Sequence, residues 1–79
     1  MKVEILGTGC PSCQKLYELT QEAVKELEID VEIEKVEDLD RITDYGVILT
    51  PGFVVDGKVR SSGNVLSVNE IKKIITQNS

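Results

Sequence analysis

Histidine is missing from this 79-residue chain, so imidazole acid–base catalysis and imidazole metal ligation are excluded within it. A two-cysteine metal site would need ligands from outside. Basic charge is scarce: the net charge is -5, and acidic residues recur from Glu18 to Asp44. That balance argues against nucleic acid and anionic membranes as partners and fits a solvated surface. No apolar run approaches the ~20 residues of a membrane span. Strand-like residues follow Met1 at once, so no leader is expected and the chain is expected to work in the cytoplasm. There is no dinucleotide-binding glycine fingerprint, so no bound cofactor is expected. Repeats, linkers and low-complexity stretches are also missing. The length allows one small domain over 1–79, with no room for a separate substrate domain.

What is present is a pair of cysteines, Cys10 and Cys13, with Pro11 and Ser12 between them. Permanent disulfides are uncommon in the cytosol, and a C-x-x-C pair there is catalytic or metal-binding more often than structural. Placement favours a redox dithiol. The pair follows a strand-like run at 2–6 and opens a helix-like run through residue 28, in which Leu16, Leu19, Ala23, Val24 and Leu27 recur at helical spacing. Pro11 suits the first turn of that helix, where no backbone N–H is needed. Cys10 then sits where unpaired N–H groups and the helix dipole favour a thiolate, with Cys13 one turn along. This predicts that Cys10 attacks a partner disulfide and Cys13 resolves the adduct. Ser12 either donates to a thiolate or faces water. The bland alternative for both cysteines is two small buried apolar residues.

The rest of the chain gives the architecture. Residues 31–36 read as a second strand, so a βαβ unit with parallel strands and a right-handed crossover is expected. Residues 38–45 read as a short helix with Leu39 and Ile42 turned inward, ended by Gly46. Val47, Ile48 and Leu49 approach Thr50-Pro51, and 53–55 read as a strand. Asp56-Gly57 is a two-residue hairpin signal returning into 58–60, with 61–64 as a loop. Ser67 and Glu70 make a capping box, and Leu66 can staple onto Ile71, opening a last helix cored by Val68, Ile71, Ile74 and Ile75. Asn78 and Ser79 are expected to fray. Tyr17 and Tyr45 read as core-margin residues, Phe53 as core, and Glu32 and Glu34 as an exposed strand face. The order is β-α-β-α-β-β-α.

Cys10-Pro11-Ser12-Cys13 after the first strand, Thr50-Pro51 before a strand, the Asp56-Gly57 hairpin and Gly63 ahead of the final helix occur together in this order. In that combination the whole chain resembles the thioredoxin superfamily, in its minimal, glutaredoxin-sized archaeal and bacterial form. The resemblance implies an α/β minimal thioredoxin fold: a central four-stranded mixed sheet with helices on both faces. It implies a thiol–disulfide oxidoreductase acting on protein disulfides, fed by a separate reductase of the thioredoxin-reductase type. Nothing demands more than a monomer. It also implies a cis peptide at Thr50-Pro51, where an ordinary trans proline is the alternative. Gly63 would line a partner groove, or simply make a turn. With Gly7, Gly9, Pro11, Thr50 and Pro51 it would form an uncharged small-residue patch around Cys10. Ser12 stands where glutaredoxins carry tyrosine, no tryptophan precedes Cys10, and Ser62-Gly63-Asn64 replaces the glutathione-holding element. Glu4 stands six residues before Cys10, as the proton-transferring acid does in thioredoxins; alternatively it is a solvated strand glutamate.

Two other functions compete. The Gly9-Cys10-x-x-Cys13 spacing is also similar to soft-metal-binding copper-chaperone domains, since thiolates select Cu(I). Those domains end in a strand, whereas this chain ends in a helix-like run. The third reading is a dedicated redox subunit of one enzyme, using the same dithiol.

Overall fold

The computed structural model describes residues 1–78, the last of them in backbone only. The elements are β1 (Lys2–Leu6), α1 (Pro11–Leu27), β2 (Glu32–Val36), α2 (Leu39–Asp44), β3 (Gly52–Val55), β4 (Lys58–Ser62) and α3 (Val68–Asn78). The expected fraying falls at this boundary: Asn78 is the last residue of α3, and Ser79 lies outside the described residues. Among the described residues, no helix is long and apolar enough to cross a membrane.

The strands form one sheet in the order β2-β1-β3-β4. β1 pairs with β2 in parallel and with β3 antiparallel, and β3 pairs antiparallel with β4. The expected mixed four-stranded sheet and βαβ crossover are therefore present. Strand alternation divides the core into two layers. Val3, Ile5, Phe53 and Val55 pack with Leu16 and Ala23 of α1 and with Leu66, Ile71 and Ile75 around α3. Leu6, Val36 and Val54 pack on the other side with Ile42 of α2 and Val47. Full burial of each of the Val, Leu, Ile and Phe side chains contributes about 1.5–3 kcal/mol.

The boundaries have local causes. Glu28 caps α1 in the left-handed region at φ 54°. Asp38 caps α2 by accepting from the Asp40 amide at 2.9 Å. Asp56 and Gly57 take φ 48° and 83°, the pair of positive angles a tight hairpin needs. Ser67 and Glu70 bond reciprocally at 3.2 and 3.0 Å, closing the expected capping box.

Two expectations are corrected. Ser61 and Ser62 belong to β4, paired with Phe53 and Gly52 across an irregularity that places Val59 opposite Val54. Their polar side chains suit an edge strand, and the ladder continues past Arg60. Leu39 does not turn inward: it is 66% exposed, while Ile42 is 4% exposed. In the short α2 the sheet-facing positions beside Ile42 go to Arg41 and Tyr45, which reach Glu4 beneath.

Candidate active site

Cys10 is the N-cap of α1, with extended backbone at φ -73° and ψ 157° and Pro11 in the first turn. The cap position is ordinarily filled by an oxygen side chain. Here Cys10 Sγ takes that place and accepts the backbone N–H of Cys13 at 3.2 Å. The Cys10 carbonyl accepts from the Gln14 amide at 3.1 Å. One of the helix's unpaired donors is thus aimed at the atom that carries charge as a thiolate, and the dipole acts in the same sense. No acidic side chain occupies the first turn to oppose it.

Cys10 and Cys13 are joined as a disulfide with their Cα atoms 5.1 Å apart. Cys10 is part-exposed and Cys13 only 6% exposed. A partner can reach the first sulfur and not the second. Pro11 and Ser12 are both exposed, and the Ser12 hydroxyl makes no hydrogen bond to another described residue, so it faces water.

Cys13 is wedged against Gly7, which follows β1. A Cβ at Gly7 would overlap Cys13 Sγ and come within 3.0 Å of Cys13 Cβ; Thr50 Cβ is 3.8 Å from the same point. The start of α1 and the loop before β3 therefore converge at Gly7, just past the end of β1. The Thr50-Pro51 peptide is cis, as the resemblance implied, with Thr50 exposed and Pro51 buried. Pro51 accepts the amide of Gly63 at 2.9 Å through its carbonyl. Gly63 has φ 77°, and a Cβ there would come within 3.1 Å of Leu49 Cβ. Gly63 is thus joined to the site through Pro51 and Leu49.

A water-sized cavity of about 20 Å³ lies behind Cys13, lined by Ile5, Gly7, Gly9, Gln14, Lys35 and Glu37. Lys35 donates to Gln14 Oε1 and sits 4.8 Å above the Tyr17 ring. The sequence reading passed over Lys35. Its signal is the register opposite Ile5, which fixes it on the α1 side of β2.

Glu4 is not brought to the dithiol. It is 5% exposed, so it is not a solvated strand glutamate. Alternation puts it on the α2 side of β1, opposite Gly7 and Cys13. There it accepts from Tyr45 Oη at 2.7 Å and Arg41 Nη2 at 3.0 Å. The hydrogen bond to Glu4 and then burial push the Tyr45 phenol up. Glu34, expected on an exposed strand face, is ion-paired there. Arg41 at 2.8 Å and Lys2 at 3.0 Å hold its carboxyl down, at about 2. Among the described residues, no group of three or more Cys, Asp or Glu is arranged to hold a metal ion.

A thioredoxin-domain family model matches residues 1–76. A thioredoxin of Methanothermobacter thermautotrophicus is 49% identical over 76 residues, covering 96% of this chain and 99% of that one. A thioredoxin of Methanocaldococcus jannaschii is 45% identical over 71 residues, covering 90% of this chain and 81% of that one.

Proposed function

The chain belongs to the thioredoxin family and is a thiol–disulfide oxidoreductase, and on that premise we propose that Cys10 is its nucleophile and Cys13 its resolving thiol. The observation that supports this assignment is the bond from the Cys13 amide to Cys10 Sγ, with Cys10 part-exposed and Cys13 buried. In the reduced protein the Cys10 thiolate attacks a protein disulfide. A Cys10–substrate bond forms, the substrate's own bond breaks, and its first sulfur leaves as thiolate. Cys13 gives up its proton and attacks Cys10 Sγ. The intramolecular disulfide forms, and the second substrate thiolate is released. Two electrons pass to the substrate, and a separate thioredoxin-reductase-type donor returns them.

Pro11, Ser12, Thr50 and Gly63 form the contact surface in this reading, with the buried Pro51 joining Thr50 to Gly63. They are uncharged and small enough for another backbone to approach. The protein acts as a single-domain monomer in the cytoplasm, without nucleic acid, membrane or resident cofactor. A soft-metal-binding module is not favoured, since the chain closes on α3 and matches the thioredoxin model.

Trapping tests the assignment. Cys13→Ser incubated with a protein disulfide should accumulate a mixed disulfide on Cys10, visible as a mass shift that dithiothreitol removes. Adducts collecting on Cys13 in Cys10→Ser, with none on Cys10 in Cys13→Ser, would reverse the roles.

A further inference from the structure

Cys13 is buried, so its proton has no direct path to bulk water when the sulfur attacks Cys10 Sγ. Glu4 cannot take it. That carboxylate lies on the far side of β1, and its two oxygens are engaged by Tyr45 and Arg41. The acceptor has to stand on the α1 side of the sheet.

The water-sized cavity behind Cys13 supplies one. Lys35 lines it from β2, opposite Ile5, and Glu37 lines it two residues on, just past the end of β2. Its volume of about 20 Å³ is room for one water. A buried water also needs polar partners, and Cys13, Gln14, Lys35 and Glu37 provide them. Of these groups only the Glu37 carboxylate can accept a proton. Lys35 is a cation and Gln14 a neutral amide. Lys35 is also held in place, donating to Gln14 Oε1 and lying over the Tyr17 ring. Glu37 has no ion-pair partner among the described residues and is exposed, so a proton it takes can pass on to solvent. β1 and the turn after it bring Ile5, Gly7 and Gly9 to the cavity, and Thr50 approaches Gly7 from the loop before β3. The charged groups facing Cys13 are therefore Lys35 and Glu37, with Tyr17 beneath Lys35.

We propose that Glu37 accepts the proton of Cys13 in the resolving step, through one water in this cavity. The Cys13 S–H proton passes to the water as a water proton passes to the Glu37 carboxylate. The Cys13 thiolate bonds to Cys10 Sγ, the Cys10–substrate bond breaks, and the substrate sulfur leaves with the electron pair. Lys35 stabilises the thiolate as it forms. The proposal rests on the exchange reading above.

The test follows both steps at once. Reduced full-length protein is mixed with equimolar dithiobis(nitrobenzoate), which releases one coloured thiolate on attack by Cys10 and the second on resolution by Cys13. The first release is bimolecular and the second unimolecular. Between about pH 6 and 7, below the ordinary thiol range, Glu37→Gln should resolve at least about tenfold more slowly, while its first release is no slower. That falls short of the ~10²–10⁴ of a base in direct contact, because a water intervenes. The deficit should close above about pH 8.5, where a thiol ionises without help. The sign separates proton transfer from a charge effect. Removing a negative charge beside a forming thiolate favours the thiolate, so on charge alone the variant would resolve faster. Resolution as fast as wild type, or faster, overturns the proposal and leaves the exchange reading standing. Equal slowing at every pH marks a structural role and overturns it too. A slowing in Glu4→Gln with none in Glu37→Gln returns the role to Glu4. If wild type shows no unimolecular second release, the exchange reading itself falls, and this proposal with it.

Discussion

Tyr45 and Glu4 are 41 positions apart and meet at 2.7 Å, phenol to carboxylate, in the layer between β1 and α2. Glu4 lies in β1, one of the two inner strands, which leads to Gly7 and Cys10, and Tyr45 is the C-cap of α2. Among buried apolar residues, α2 contributes only Ile42 to that layer. A polar contact thus does much of the holding. A carboxylate this buried must be paired, and Arg41 and Tyr45 supply the donors.

Tyr45→Phe should therefore cost about 1–3 kcal/mol, because one oxygen of a buried carboxylate loses its donor. Denaturant midpoints measure this. The sign with pH follows from the raised phenol of Tyr45. A raised value means the contribution is complete below the ordinary value of 10.0 and is lost as pH rises through the higher folded value. Wild type and Tyr45→Phe should converge in stability on the alkaline side.

Glu34 gives the opposite window. Its carboxyl is held down at about 2 against an ordinary 4.5, first by the hydrogen bond from Arg41 and then by that from Lys2. A depressed value contributes stability above 4.5 that disappears as pH falls toward 2. The stability gap between wild type and Glu34→Gln should be flat above pH 4.5 and close through that interval. Added salt should shrink it, since these charges are solvent-exposed.

Gly7→Ala tests the wedge at Cys13. The new methyl would overlap Cys13 Sγ, and the close atoms belong to the short Cys13 side chain on α1 rather than to the far end of a flexible side chain. Overpacking of this kind costs about 1–3 kcal/mol. The variant should melt earlier and resolve mixed disulfides more slowly, while initial attack by Cys10 changes less. Single-turnover kinetics separate the two steps.

Much of this was legible in the chain. Hydrophobic period, the Asp56-Gly57 turn and the Ser67–Glu70 box place the elements, and the Thr50-Pro51 and Gly63 positions follow from the resemblance. The misses share a cause. Leu39 was turned inward because a six-residue helix offers competing stripes, and a buried Glu4 drew Arg41 and Tyr45 toward the sheet. Glu4 was matched by its distance from Cys10, but strand alternation sends it to the face away from α1. Ser61 and Ser62 look like a loop until their pairing with Phe53 and Gly52 is known. Nothing local marks Gly7 as the residue that Cys13 rests on.

Redox-buffer equilibration of the metal-free protein, read by alkylation and mass spectrometry, tests the central claim most directly. The account predicts that Cys10 and Cys13 are alkylated together or not at all, in one reversible two-electron transition near the reducing end of protein dithiols, about -270 mV. Independent alkylation of the two thiols, with no reversible intramolecular disulfide, would contradict it.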